Sequence, residues 1–373
     1  MLHGSGEKMT VEPLGPRARR FEYLDLLRLL CAGAVVIFHY GAVAPYTGVI
    51  PPDFYFLPAI SVYGQFGVHV FFMISGFVIT LSARGRATAA FLWARFLRLY
   101  PAYWICCTIT ALALWFAGPI HSTLWSPNLA QYFVNLTMFQ TFLGVPDVDH
   151  VYWSLAAELR FYALVTLCLL LRVRIDALWV LAAWLLACWI APYMPPILGK
   201  VAMVVYAPYF IVGILIQRLA EPRHMVIKLA LILAALLLAA RYIFQQHEIH
   251  VARDFNPYTP IVAVAVVWAG ALLIAGCVFA PQPSPRTTRI LMTIGATTYP
   301  LYLLHSGLGF ALLARLQGRA PAAIVAIGVT VLIAAAVLLI SEKLEPALRT
   351  CLRAFGKQGS TRNRRVEHGA SEA

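Results

Sequence analysis

Long apolar runs alternate along the chain with short, basic, turn-rich connectors. A helix that crosses a bilayer needs about 20 mainly apolar residues. Ten stretches of that kind stand in the sequence, at 24–46, 62–82, 100–117, 151–171, 177–194, 198–217, 226–246, 258–280, 291–314 and 321–341. The pattern predicts an all-α integral membrane protein of about ten transmembrane helices. Residues 118–150 are less regular. There Leu129–Val145 is apolar but interrupted, which predicts a re-entrant or interfacial helix.

Composition supports the membrane reading: 61% of residues are hydrophobic and 12% charged, against roughly half and a quarter in soluble domains. A net charge of +13 would suggest nucleic acid if it formed one patch. Instead the basic residues sit in clusters between apolar runs, as the positive-inside rule describes. With the N-terminus inside, 22 of the 29 Lys and Arg fall on the cytoplasmic side and five on the other, with Arg28 and Arg160 inside spans. Both termini are therefore expected in the cytoplasm. The expected organisation is a basic N-terminal tail (1–21), a transmembrane domain (22–346) and a basic, disordered C-terminal tail (347–373). Arg17, Arg19 and Arg20 precede a run ending Ala42-Val43-Ala44, which superficially resembles a signal peptide. The run is span-length and Pro45 would follow the cut, so it reads as a retained span. The seven cysteines lack metal-ligand spacing and read as small buried apolar residues. No metal site is expected.

Ionisable side chains inside a span cost on the order of 2.5–3.5 kcal/mol each and ask for a functional explanation. Arg28, His39, His69, Glu158, Arg160 and His305 are such residues. At a rise of about 1.5 Å per residue, His39 lies roughly 16 Å deeper than Arg28. Glu158 lies about 21 Å from Arg172, and His69 and His305 about 22–24 Å from Arg84 and Arg289. Four titratable groups from four spans thus share one layer in the outer half of the membrane. An imidazole can take a proton from an alcohol, and a carboxylate can orient it or stabilise the imidazolium. Each His also has a plain packing reading, which stays open for His69 and His305. Glu158 and Arg160 point to different helix faces and are not expected to pair.

A second constellation lies at the cytoplasmic side. Arg95 and Arg98, three apart, share one helix face, and guanidinium pairs suit phosphate oxygens. Positive-inside anchoring is the alternative reading of that spacing. Arg28 could join them. An arginine floor beneath an acid–base layer would fit a donor with an anionic head and a long thin arm, the shape of acyl-coenzyme A.

The same residues resemble the acyltransferase-3 membrane proteins that O-acylate bacterial surface and exported glycans, over about residues 22–346. LDLLRLLCAGAVVIFHYG (24–41) has that family's basic residue, ten positions and histidine, in Arg28 and His39. FGVHVFFMISGFVIT (66–80), RFLRLYPAYW (95–104), VYWSLAAELRFY (151–162) and IGATTYPLYLLH (294–305) resemble its further motifs in order. EKLEPALR (342–349) is a loose version of its closing segment. One departure stands out: His69 occupies a position that is usually acidic.

The resemblance implies an O-acyltransferase that moves an acyl group, by preference acetyl, from cytosolic acetyl-CoA (acyl-CoA) to a hydroxyl of a lipid-linked or exported glycan, at the bacterial inner membrane. No permanently bound cofactor is expected. The expected partners are acyl-CoA, a glycan or glycolipid acceptor, the bilayer and other glycan-assembly or export proteins, but no nucleic acid. On this reading Arg28, Arg95 and Arg98 hold donor phosphates. His39 is general base or transient acyl acceptor, supported by Glu158. His69, Ser75, Trp153, Tyr302 and His305 are supporting candidates, and Tyr299 with Trp153 and Tyr302 would line the acceptor path. Ser75 reads as a packing or hydrogen-bonding residue, since no base lies within a turn of it. The rival reading is a proton-coupled transporter of a glycan or small solute, with His39, Glu158 and His305 as a relay. It leaves the arginine pair unexplained, and no internal repeat supports it.

Overall fold

A computed structural model describes residues 21–50, 58–117, 126–193, 195, 199, 202–252, 258–316 and 322–354. Every regular element among them is helical. The main helices are α1 (Tyr23–Phe38), α2 (Gly67–Ala83), α3 (Thr88–Ala117), α4 (Leu129–Leu136), α5 (Trp153–Leu170), α6 (Leu178–Ile190), α7 (Ala207–Gln217), α8 (Met225–Ala252), α9 (Pro260–Phe279), α10 (Pro285–Leu304), α11 (Gly307–Leu316) and α12 (Ala322–Leu339). Among the described residues six helical stretches are long and apolar enough to cross a membrane: Tyr23–Tyr46, Ala59–Ala83, Thr88–Ala117, His150–Leu170, Met225–Ala252 and Pro260–Phe279. The chain is a multi-pass membrane protein. Most of the two tails, with Lys200, Arg253, Arg319 and residues 118–125, lies outside the described residues.

Lipid tails are as apolar as leucine, so helices in a bilayer associate by close backbone approach at small residues. Gly76 of α2 and Gly213 of α7 do this reciprocally. A Cβ on Gly76 would sit 2.2 Å from the Phe210 carbonyl oxygen, and one on Gly213 would sit 1.8 Å from that of Met73. Gly295 brings α10 against Asp25 of α1, where an added Cβ would meet the carboxyl carbon at 2.6 Å. Asp25 in turn accepts a hydrogen bond from Arg28 at 2.8 Å. These approaches fix α1, α2, α7 and α10 around the centre of the molecule.

Several expected spans are redrawn. The stretch expected at 100–117 is part of one 30-residue helix that carries Arg95 and Arg98 and continues through the buried Pro101. Asn128 and Gln131 form a capping box that starts α4, which at eight residues is about 12 Å long and too short to cross. Tyr103, Trp104 and Tyr100 of α3 donate to the carbonyls of Asn135, Leu136 and Thr137, at 2.8 Å each, and hold this segment against the bundle. The helix expected at 198–217 begins only at Ala207, with Pro208 in its first turn, where a missing N–H costs nothing. The span expected at 291–314 breaks at His305 into α10 and α11.

Candidate active site

Two irregular helix segments meet at the centre of the site. After Phe38, α1 widens into a π-helical turn over His39–Val43, in which the Ala44 N–H donates to the His39 carbonyl. Pro45 has no N–H to give to the preceding turn and its ring presses on a carbonyl four residues back. A widened turn relieves that conflict, and such turns are frequent at functional sites. Opposite it, the α10–α11 break frees the His305 carbonyl, which accepts the Tyr40 hydroxyl at 2.8 Å.

The two imidazoles touch across this junction. His305 Nδ1 donates to the Tyr302 carbonyl at 2.8 Å. Its Nε2 is therefore the acceptor nitrogen, 3.1 Å from His39 Nδ1. His39 Nδ1 also lies 2.9 Å from the Val35 carbonyl. Both neighbours accept, so the proton belongs on His39 Nδ1 and the lone pair on Nε2. Nε2 makes no hydrogen bond among the described residues, and it is the nitrogen that can take a proton. Both residues are buried.

Below this pair lies a cavity of about 240 Å³ whose walls include Arg28, Arg95, Arg98, Glu158, Ser75 and Tyr299. Two helices, α1 with Arg28 and α3 with Arg95 and Arg98, thus converge three guanidinium groups on one space. Arg98 lies over the Tyr299 ring at 5.8 Å, and Arg95 over Phe91 at 5.8 Å and Tyr162 at 6.0 Å. Arg95 Nε and the Tyr299 hydroxyl are buried without a hydrogen-bond partner, donors that a ligand can use. Tyr302 closes the cavity on the histidine side. Its hydroxyl pairs with Ser154 at 2.8 Å, and its ring packs on His305 at 5.7 Å. His39 and His305 do not line this cavity; Tyr302, which does, packs between it and His305.

A family described as Acyltransferase domain matches residues 21–341. The chain belongs to the acyltransferase-3 family. It is 32% identical over 127 residues to Nodulation protein 10 of Rhizobium leguminosarum bv. viciae, a match covering 29% of this chain and 33% of that protein. It is 28% identical over 285 residues to Acyltransferase MdmB of Streptomyces mycarofaciens, covering 66% of this chain and 68% of the relative. No solved structure matches the chain.

Within this acyltransferase-3 chain the expected single layer of four titratable groups divides. His39 and His305 meet, but Glu158 sits in the arginine-lined cavity and accepts the Tyr162 hydroxyl at 2.7 Å. Glu158, expected to support His39, makes its hydrogen bond with Tyr162, and the residue beside His39 is His305. His69 packs against Tyr209 and Phe66, at 4.6 and 5.3 Å, and its buried Nδ1 has no partner. Trp153 stacks on Tyr206 at 5.5 Å and is not part of the cavity wall. Arg160, unexplained by sequence, lies over the Phe142 ring at 5.0 Å.

Asp149 and Tyr40 were not singled out by the sequence pattern. Asp149 caps the turn before α5, accepting the Val151 N–H at 3.2 Å, and reaches across to accept the Gly307 N–H at 2.7 Å. It thereby holds the break that presents His305. Burial pushes its carboxyl up to about 6, against the opposing pull of the Gly307 and Val151 N–H groups. An Asp immediately before an apolar helical run is a capping signal and was the available clue.

Proposed function

We propose that the chain transfers an acyl group, acetyl in the first instance, from cytosolic acyl-CoA to a hydroxyl of a lipid-linked or exported glycan. The observation that carries this reading is the convergence of Arg28, Arg95 and Arg98 on one cavity whose far wall leads through Tyr302 to the His305–His39 pair. The arginines bind the donor phosphates, since forked guanidinium donors match phosphate oxygens. The pantetheine arm and thioester extend toward Tyr302. Glu158 balances the arginine charge and holds Tyr162.

In the reaction the acceptor hydroxyl gives its proton to His39 Nε2 as its oxygen attacks the thioester carbonyl. The new C–O bond forms, the C–S bond breaks, and the imidazolium returns the proton to the departing coenzyme A sulfur. His39 Nδ1–H stays bonded to Val35 and His305 throughout, which keeps the tautomer fixed. The acceptor reaches His39 from the side opposite the arginines. On this reading the chain has about ten spans, two cytoplasmic tails around a 22–346 transmembrane domain, and a place in the bacterial inner membrane.

The test uses purified protein in detergent with labelled acetyl-CoA. The double variant Arg95→Ala/Arg98→Ala should bind acetyl-CoA at least about a hundredfold more weakly, from two charge-assisted contacts of about 1.5–3 kcal/mol each, and leave glycan binding intact. Unchanged donor affinity would refute the role of the arginines.

A further inference from the structure

A second and larger cavity, of about 440 Å³, opens beside α2 and α5 and shares no wall residue with the arginine cavity of the candidate active site. Its interior is apolar, formed by Ala83, Val165, Leu169 and Ile175 among others, and Arg84, Arg172 and Arg174 stand around it. The volume falls in the range of roughly 300–1,000 Å³ typical of ligand sites.

Three observations point to an anionic ligand with an apolar tail. Charge is the first. Asp176 accepts from Arg84 at 2.7 Å and from Arg174 at 3.0 and 3.1 Å, so this buried carboxylate is shared by two guanidiniums; Arg84 also donates to Gln217 at 2.7 Å and lies 3.8 Å from Glu221. Arg172 makes no ion pair or side-chain hydrogen bond among the described residues and is exposed. The second is Thr80, which lines the cavity and is 2% exposed. Its Oγ1 has no hydrogen-bond partner, although buried hydroxyls are almost always paired. The third is the backbone of Arg172, at φ +56°. It ends α5 in a motif closed by Val173 N–H to Cys168 O at 2.8 Å and Arg172 N–H to Leu169 O at 3.2 Å. Glycine is the usual residue at that left-handed position, and an L side chain there is strained.

We propose that this cavity binds an anionic phospholipid, with the headgroup phosphate on Arg172 and an acyl chain among the apolar walls, where Thr80 Oγ1 donates to an ester or phosphate oxygen. Arg84 and Arg174, held by Asp176, add positive potential at the mouth. A zwitterionic lipid offers the same tail but carries a cation to the arginines. A free phosphate ion offers the charge but fills none of the apolar volume. The site holds whether or not the chain transfers acyl groups.

The experiment titrates delipidated, detergent-purified full chain with dioleoyl phosphatidylglycerol, dioleoyl phosphatidylcholine and inorganic phosphate, reading bound lipid by native mass spectrometry and the thermal unfolding midpoint. Phosphatidylglycerol should saturate at one tightly bound molecule and raise the midpoint, with the other two ligands at least about tenfold weaker. Arg172→Gly should raise the lipid-free midpoint by relieving the left-handed residue, yet bind phosphatidylglycerol at least about tenfold more weakly. Thr80→Val, which keeps the side-chain shape, should also raise the lipid-free midpoint and weaken the lipid. Wild-type phosphatidylglycerol affinity in both variants would overturn the site. So would phosphatidylcholine binding as tightly as phosphatidylglycerol, or phosphate binding as tightly as either.

Discussion

His305→Ala removes the acceptor that lies 3.1 Å from His39 Nδ1 and leaves the Val35 carbonyl at 2.9 Å. The tautomer of His39 therefore survives. What is lost is the second acceptor for Nδ1–H at the moment Nε2 gains a proton and the ring becomes cationic. A hydrogen bond to a charged group contributes about 1.5–3 kcal/mol, which is roughly a 10- to 150-fold loss in kcat. That is smaller than loss of the base itself, which general acid–base catalysis puts at about 10²- to 10⁴-fold. None of the three cavity arginines hydrogen-bonds His305, so KM for acyl-CoA should not move. His305 is fully buried, and His305→Gln is the companion variant. Its amide oxygen reaches the former Nε2 position, and it should recover part of the rate. The assay is acetyl transfer from labelled acetyl-CoA by detergent-purified protein, with thermal unfolding as the folding control. A folded His305→Ala protein with wild-type kcat would refute the paired-imidazole mechanism.

Three further outcomes follow from the same geometry. Tyr40→Phe leaves the buried His305 carbonyl without its donor at 2.8 Å and should cost about 1–3 kcal/mol of stability, read as a lower unfolding temperature together with a lower kcat. Gly213→Val should prevent assembly of a folded protein, because the added side chain meets the Met73 carbonyl at 1.8 Å. Detergent-resistant, monodisperse material at wild-type yield would contradict that. Outside the spans, burial alone would raise the carboxyl of Asp176, but hydrogen bonds from Arg174 and Arg84 outweigh it and hold it below the usual range. Because its folded-state value is the lower one, its stabilisation is present above the unfolded value of about 3.9 and is lost as pH falls through the folded one. Thermal unfolding from pH 6 to 3 should show a drop that Asp176→Asn lacks.

The helical class, the membrane class and the family were legible in apolar run lengths and in ordered motifs. So was the approximate height of each ionisable residue, because helical rise is constant. Height is only one coordinate. Depth alone groups Glu158 with His39, but its rotational position on α5 turns it to the arginines and Tyr162. His305, at a similar depth, is the residue whose α10 face meets α1. The break at His305–Ser306 carries no proline at the break itself. It rests on Tyr40 and Asp149, partners 265 and 158 positions away from the groups they hold, and no local pattern reveals such bonds. Pro45 lies inside the span expected at 24–46, and the π-helical turn before it carries Tyr40, whose packing on Phe310 of α11 no local pattern reveals. The sequence pattern puts Arg95 and Arg98 on one helix face at the cytoplasmic side, just outside the span expected at 100–117. They belong to the same continuous helix as the third span because Pro101 is accommodated inside α3 rather than ending it.

The central claim is that His39 performs the acyl transfer on a donor held by the arginine cavity. The direct measurement compares wild-type and His39→Ala proteins for binding of labelled acetyl-CoA and for its transfer to glycan, in detergent and without a membrane potential. Transfer is expected from the wild type, none above background from His39→Ala, and equal acetyl-CoA affinity in the two. Transfer by folded His39→Ala at the wild-type rate, or a wild-type protein that binds no acyl-CoA, would contradict it.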